Sequence, residues 1–158
     1  MRLTAYTDYS LRVLTYLGIK QDRLSTIGEI SDTYGLSANH LMKIIHNLGK
    51  LGYVDTVRGR GGGIRLAGTP QEINLGQLVR QVEPDFEIVE CFDAARRDNC
   101  IIAPACRTQW VFEKAMQAFL DVLDSYTLAD LLQDSTRLSA LLSIVPMQPV
   151  QPVQHKAG

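Results

Sequence analysis

The sequence contains little cysteine and little tryptophan, and it lacks any long run of apolar residues. Three cysteines and one tryptophan occur among its 158 residues. No stretch approaches the roughly 20 apolar residues that cross a bilayer, and the polar N-terminus has no apolar core of a secretory signal. We therefore predict a cytoplasmic protein without a membrane partner, in a compartment where thiols stay reduced.

A strong overall charge is also missing, since the formal net charge is −1. The charge is unevenly divided, because residues 1–65 hold nine Lys/Arg and five Asp/Glu, a balance of +4, whereas residues 66–158 hold seven and twelve, a balance of −5. The basic half is suited to face a polyanion. The length indicates one domain, or a small domain with an appendage, and the hydrophobic content of 46% is ordinary for a globular protein.

The few cysteines are concentrated in one segment. Cys91, Cys100 and Cys106 fall within sixteen positions, and the residues between them follow neither a helical nor a strand period, which predicts an irregular loop. An odd number of cysteines leaves one thiol outside any disulfide. Thiolates are ligands for zinc, copper(I) and iron–sulfur clusters. We predict a metal or cluster site with a fourth ligand elsewhere, in preference to buried free cysteines, because this loop is polar.

Two short helices joined by a turn are predicted in the first half. Ser25 and Thr26 supply an N-cap for a helix over 27–34, Gly35 ends it, and Ser37 begins a third helix that runs to about Lys50. This arrangement is typical of a helix-turn-helix.

A β-hairpin is predicted directly after the third helix. Residues 53–57 and 64–66 have strand character, and the turn 58–63 between them is rich in glycine and arginine. A nucleotide-binding loop has little support, because the Lys-Ser/Thr of a P-loop and the GxGxxG spacing are absent. The sequence therefore predicts a mainly α fold with a small β-hairpin, a winged helix-turn-helix.

The predicted third helix has a polar face that could read DNA. Leu41, Ile44, Ile45 and Leu48 form its buried stripe, and amide and basic side chains occupy the opposite side. Such side chains contact base edges and phosphates, although an ordinary solvated face is the alternative. Periodicity on this helix and the composition of the hairpin turn give the candidates His40, Asn47 and Arg60.

A long helix is predicted after the cysteines, over about 107–124. It carries two adjacent apolar stripes, Val111, Ala115, Ala118 and Val122 beside Phe112, Met116, Phe119 and Leu123. One packing contact does not cover so wide an arc, so we predict that the helix also packs against a second copy of the chain. Cover by the N-terminal helix of the same chain is the alternative.

The first helix, predicted over residues 3–19, presents one acidic side chain away from its apolar stripe. That residue is Asp8, one turn before Arg12, so a surface ion pair between the two is expected.

Several motifs together resemble the bacterial winged-helix iron–sulfur transcriptional repressors of the IscR/NsrR type, and most of all the nitric-oxide-sensing members. The resemblance extends to about Ile144. The motifs are Arg2-Leu-Thr4, Thr7-Asp8-Tyr9, Leu36-Ser37, Val57-Arg-Gly-Arg-Gly-Gly-Gly63, the three-cysteine loop and Tyr126-Thr-Leu-Ala-Asp-Leu131. The spacing from Cys91 to Cys100 is longer than is common in this group.

The resemblance implies a homodimer that is not an enzyme and that binds an iron–sulfur cluster, 4Fe-4S in preference to 2Fe-2S. The fourth ligand of IscR-like members, a histidine, is replaced by Gln109, whereas the aspartate of nitric-oxide-sensing members matches Asp8. The implied ligands are Cys91, Cys100 and Cys106 of one subunit and Asp8 of the other.

The resemblance also implies double-stranded operator DNA as the partner and nitric oxide as the effector. The implied DNA contacts are Ser37, Asn39, Lys43 and Arg58. A regulator of iron or iron–sulfur status, a zinc-structured regulator and a small iron–sulfur redox protein are the alternatives. The expected divisions are a DNA-binding domain (1–82), a cluster-binding loop (83–106), a dimerisation helix with C-terminal helices (107–144) and a disordered tail (145–158).

Overall fold

The structure is a computed structural model that describes residues 2–93, 95–96 and 99–143. The predicted disorder of residues 145–158 concerns residues outside these ranges. The helices and strands, in chain order, are α1 (Ala5–Ile19), α2 (Ile27–Tyr34), α3 (Ala38–Lys50), β1 (Val54–Val57), β2 (Gly63–Leu66), α4 (Leu75–Val82), α5 (Thr108–Asp124), α6 (Leu128–Leu131) and α7 (Ser135–Leu141). The predicted fold class, mainly α with a two-stranded hairpin, is confirmed.

Helix α1 forms the centre of the core. Its residues Val13 and Leu14 are fully buried, and it packs against α3, α4, α6 and the hairpin. The helix begins two residues later than the periodicity predicted, because Thr4 is the N-cap and its side chain accepts a hydrogen bond from the Thr7 N–H.

The turn between α2 and α3 has the predicted chemistry. Thr26 and Glu29 form a capping box at the start of α2, and Gly35 ends the helix in the left-handed conformation with φ of 62°. Ser37 occupies the N-cap position of α3, but its side chain makes no capping hydrogen bond within the described part of the chain. The hydroxyl of Ser37 is therefore not used to hold the helix end.

The hairpin is tied to the body by a bridge that the sequence did not predict. Strands β1 and β2 are antiparallel, with Val54 opposite Leu66 and Val57 opposite Gly63. Ser25 pairs with Ile64 through both backbone hydrogen bonds, at 2.9 and 2.8 Å. This isolated bridge fixes β2, near the turn of the hairpin, beside the start of α2.

Helix α5 is joined to α4 at its C-terminal end. The Arg80 guanidinium donates two hydrogen bonds to the Asp124 carboxylate, at 2.5 and 2.7 Å, and the Asn74 side-chain amide donates to the Asp124 carbonyl oxygen at 2.6 Å. A Cβ on Gly76 would overlap the Asp124 carboxylate, so glycine is needed for this close approach.

The two C-terminal helices begin at side-chain caps. Thr127 precedes α6 and forms a capping box with Asp130. At the start of α7 the Asp134 side chain accepts a hydrogen bond from the Arg137 N–H. Residue 144, the end of the expected C-terminal division, lies outside the described residues. No helix in the described ranges has both the length and the apolar character to cross a membrane.

Candidate nucleic-acid interface and cysteine loop

The outward face of α3 is a polar surface supported by a buried stripe. Leu41, Ile44, Ile45 and Leu48 are buried as predicted, and this fixes the direction of the opposite face. Ser37, Asn39 and Lys43 are all exposed at the N-terminal half of the helix. His46 and Lys50, which share this face, are exposed one and two turns further on. The helix can therefore present amide, hydroxyl and basic groups to a polyanion.

The flank of α3 that faces α1 holds two further predicted DNA contacts. Asn47 is half-buried and its side chain is hydrogen-bonded to the Tyr6 hydroxyl. Burial raises the pKa of Tyr6, and the bond to Asn47 opposes that rise. Exposed His40 lines a cleft of about 220 Å³ together with Lys43, Tyr6 and Tyr9. Asn47 thus has a partner inside the protein, whereas His40 lies at the outer surface.

The tip of the hairpin exposes Arg58 and Arg60 between glycines. Gly59 and Gly61 have φ of 101° and 78°, a backbone conformation that L side chains rarely adopt. A Cβ on Gly62 would overlap the Val57 carbonyl oxygen. The glycines therefore make a tight turn that holds both arginine side chains away from the body.

A cross-strand pair on the hairpin was not identified from the sequence. Arg65 lies opposite Asp55, and their side chains are 3.5 Å apart on an exposed face. The strand register would have revealed this pair, since residues directly opposite in an antiparallel ladder are close.

The three cysteines lie on the predicted irregular loop, which contains short 3₁₀ turns at Glu90–Phe92 and Ala103–Ala105. Among the described residues the three side chains form no disulfide; Cys91 and Cys106 are half-buried and Cys100 is exposed. Cys106 lies at the start of α5, where the Thr108 side chain and the backbone N–H groups of Thr108 and Gln109 bond to its sulfur and lower the thiol pKa. The same hydrogen bonds favour the thiolate, which is the form that binds metals.

The structure does not bring the predicted ligands together. Within the described ranges, no three His, Cys, Asp or Glu side chains converge in a way that could hold a metal ion. The donor set nevertheless fits a soft metal centre, since three reduced thiols lie on one loop without regular structure.

The fourth predicted ligand, Asp8, is engaged on its own helix. Its carboxylate lies 2.8 Å from the Arg12 guanidinium, and both side chains are about half exposed, so the expected ion pair is confirmed. The Arg12 guanidinium also lies over the rings of Tyr9 and Tyr34, at 5.7 and 5.8 Å from their centroids. Asp8 is therefore accessible from outside the chain but already holds a cation.

Helix α5 divides its two apolar stripes between the body and the surface. Met116 and Leu120 are buried, Phe119 and Leu123 are partly buried, and the helix packs against α4. The other stripe is exposed along its length, with 53% of Val111 and 59% of Val122 accessible. The exposed residues are Val111, Ala115, Ala118 and Val122.

Comparison with known proteins identifies the family. The profile of Rrf2, described as an iron-dependent transcriptional regulator, matches residues 3–134. The chain belongs to the Rrf2 family. The proteins named HTH-type transcriptional regulator NsrR from Bacillus subtilis strain 168 and from Bacillus licheniformis are 52% and 51% identical to it. The first match covers 91% of this chain and 99% of the relative, and the second covers 90% and 100%.

Solved structures agree with this assignment. T. potens IscR superposes with a TM-score of 0.69 at 27% identity, over 87% of this chain and 90% of that one. CymR, described as the global cysteine regulator of B. subtilis, superposes with a TM-score of 0.65 at 27% identity, over 83% and 95%.

The Rrf2 assignment confirms the resemblance inferred from the motifs. The chain is a transcriptional regulator and not an enzyme. This excludes the small iron–sulfur redox protein as a description of its function.

Proposed function

We propose that this Rrf2-family regulator is a homodimeric transcriptional repressor that senses nitric oxide through an iron–sulfur cluster, and that loss of the intact cluster releases its operator. The observation that carries the proposal is the match to regulators named NsrR, at about half identity along nine-tenths of the chain. The three cysteine side chains on one loop support it independently, because thiolates are the ligands that such a cluster needs.

The DNA-binding surface comprises the outward face of α3 and the tip of the hairpin. Its proposed contacts are Ser37, Asn39, His40, Lys43, Arg58 and Arg60. The exposed hydroxyl of Ser37 and the amide of Asn39 would meet bases and phosphates in the major groove, while Arg58 and Arg60 reach phosphates or the minor groove. Asn47 lies behind this surface, bonded to Tyr6, and supports α3 from inside.

Cys91, Cys100 and Cys106 would hold the cluster, with Asp8 of the second subunit as the fourth ligand and 4Fe-4S favoured over 2Fe-2S. When bound, the iron would supply a centre that nitric oxide can coordinate. The carboxylate of Asp8 must exchange the Arg12 guanidinium for this role, since the two lie 2.8 Å apart. A carboxylate among thiolates is the harder ligand and the weaker point of the set.

The second subunit would pack on the exposed stripe of α5. The stripe offers small residues, Ala115 and Ala118, between larger apolar ones at its ends. A dimer built on this helix would place two α3 helices and two hairpins on a pseudo-palindromic operator. Its site of action would then be the cytoplasm, where operator DNA lies.

The test is anaerobic preparation of the protein, with absorbance spectra, iron and sulfide counts, and operator affinity measured before and after nitric oxide. We expect a cluster that is altered by stoichiometric nitric oxide, with loss of operator affinity. Asp8→Ala should change the cluster spectrum, whereas Asp22→Ala, at another exposed aspartate, should not. Equal operator affinity before and after destruction of the cluster would contradict the proposed switch.

A regulator of iron or iron–sulfur status is the second candidate. The family description as iron-dependent and the structural similarity to T. potens IscR favour it. Titration with a chelator, compared with nitric oxide, separates the two, because an iron sensor would respond to the chelator at concentrations that leave a nitric-oxide sensor bound to DNA. A zinc-structured regulator would contain zinc and no sulfide after the same anaerobic preparation.

A further inference from the structure

The single tryptophan of the chain lies in the first turn of α5 and is unusually accessible for such a large apolar side chain. Trp110 has 54% of its surface exposed. Indole rings ordinarily bury most of their area in a core or an interface. Half of this ring remains in contact with water, so its position needs an explanation.

Trp110 lies neither on the buried side of α5 nor on its exposed apolar stripe. At 100° per residue, the ring projects about 110° from the exposed stripe of Val111 and Val122 and about 100° from the buried side chains of Met116 and Leu120. Its neighbours around the helix are the polar residues Lys114, Gln117 and Asp121. Helix–helix packing within the chain or across the exposed stripe therefore does not account for Trp110.

The ring is nevertheless held in place from two directions. The Arg107 guanidinium lies 5.7 Å from the ring centroid and the Lys114 ammonium 6.0 Å, one before and one after Trp110 along the helix. Cation–π contacts of this kind restrict the indole at the surface. The side chain is thus presented in a defined direction.

The same turn of α5 receives the sulfur of Cys106. The backbone N–H groups of Thr108 and Gln109 donate to that sulfur, so the last thiol of the loop lies at the base of the turn that carries Trp110. Two more exposed apolar residues directly follow Cys100 in the loop, Ile101 at 96% and Ile102 at 60%. Apolar surface is therefore collected at both ends of the segment that joins Cys100 to Cys106.

We propose that Trp110, together with Ile101 and Ile102, forms an apolar cover that closes over the thiolates of Cys100 and Cys106 when they bind iron, and that this cover limits the access of water and solutes to the metal. The inference rests on the proposed cluster site and assigns Trp110 a positioning role there. Arg107 and Lys114 hold the indole ready for closure. The apolar shell around a metal site controls solvent access and therefore metal loss.

The test uses the full-length protein and the intrinsic fluorescence of its one tryptophan. Collisional quenching by acrylamide is measured in the anaerobic metal-free and cluster-loaded forms at equal dimer concentration. We expect the quenching constant to fall on loading. The proposed cover would be wrong if the quenching constant of the metal-free protein fell as the protein dimerised. In that case the second subunit, and not the cover, would bury Trp110.

The second measurement is the rate at which a chelator removes iron from the loaded protein. Trp110→Ala should accelerate removal roughly tenfold, the scale on which shells around metal sites act, and Trp110→Phe should restore most of the protection. Tyr126→Ala, which truncates a half-exposed aromatic residue at the other end of α5, is the matched control and should leave the rate unchanged.

Two different results separate an error in the proposed cover from an error in the proposed cluster site. If the wild-type protein takes up a cluster and Trp110→Ala loses iron at the wild-type rate, the cover is wrong and the cluster site stands. If the wild-type protein takes up no cluster anaerobically, the proposed function fails, and the cover fails with it.

Discussion

At the scale of single residues, helix α3 carries both the proposed DNA-binding surface and side chains that pack toward α1. Asn39 and Asn47 are both asparagines on α3, yet Asn39 is exposed whereas Asn47 is half-buried and bonded to Tyr6. Periodicity places a side chain around a helix axis but does not show which neighbour meets it. The two residues are therefore expected to differ in function.

A double-mutant cycle on Tyr6 and Asn47 tests this difference. Tyr6→Phe and Asn47→Ala should each lower the free energy of unfolding by about 1 kcal/mol, because each removes one partner of a partly buried hydrogen bond. The double variant should lose less than the sum of the two. The measurement is chemical denaturation monitored by circular dichroism.

Asn39→Ala is the control for the same residue type on the same helix. It should leave the free energy of unfolding unchanged and weaken operator binding by roughly 1–3 kcal/mol if it meets a base edge. If Asn47→Ala weakened operator binding and left the free energy of unfolding unchanged, Asn47 would belong to the DNA-binding surface.

At the scale of elements, the start of α2 depends on one carboxylate with several partners. Glu29 accepts from the Thr26 N–H at 2.7 Å and lies 3.3 Å from the Lys20 ammonium, and it also pairs with Arg23. The bond from Arg23 is the main cause that lowers the pKa of Glu29 to about 2. The carboxylate thus links the end of α1, the connecting loop and the first turn of α2.

This cluster predicts a specific dependence of stability on pH. Because the pKa of Glu29 is depressed in the folded protein, its contribution is complete above about pH 4.5 and is lost as the pH falls toward 2. Glu29→Gln should lower the free energy of unfolding at pH 7 by about 1 kcal/mol, and the difference from wild type should vanish between pH 5 and pH 2.

The denaturation curves are measured on reduced, metal-free protein, so that neither oxidation of the cysteines nor metal binding affects them. Glu87→Gln, at an exposed glutamate in the segment after α4, should show no such difference at any pH. A constant gap between wild type and Glu29→Gln down to pH 2 would mean that ionisation of Glu29 does not stabilise α2.

Local patterns in the sequence predicted most of these elements, and the exceptions have physical reasons. The caps at Thr26 and Gly35 act within one turn, so their residue types were sufficient to place α2. The bridge from Ser25 to Ile64 joins residues far apart in the chain, and no local pattern records it. Backbone pairing between distant residues could therefore be identified only from the folded structure.

The candidate site was predictable to a similar degree. The clustering of Cys91, Cys100 and Cys106 and the irregular character of their loop could be seen in the sequence. The exposure of Trp110 between two cations could not, because an aromatic residue in a helix ordinarily indicates burial. Which side of α5 stays open also depends on how α4 packs against it.

At the scale of the whole molecule, we propose that the exposed stripe of α5 is the surface on which two copies of the chain associate. Ala118 lies in its centre, where close approach of a second helix requires a small side chain. Ala118→Glu should convert the dimer to a monomer, because a carboxylate buried at such an interface would lose its hydration without a partner. The mass is measured by sedimentation or light scattering, and operator affinity should fall in parallel.

Ala140→Glu places the same substitution on an exposed position of α7 and should leave the mass and the operator affinity unchanged. If the Ala118→Glu protein remained dimeric, the second subunit would have to bind elsewhere than on the exposed stripe. Circular dichroism of both variants verifies that the fold is intact.

The attachment of α5 at Asp124 has a mechanical consequence. The bonds from Arg80 and Asn74 to Asp124, together with the buried side chains of Met116 and Leu120, hold the C-terminal half of α5 against the body. The first turn of the helix lies about 12 Å from Met116, so a tilt of about 5° around Met116 would move that turn by roughly 1 Å. Conversely, a contraction of the cysteine loop would pull on the first turn of α5. The helix would pass this movement on to α4, which packs against it.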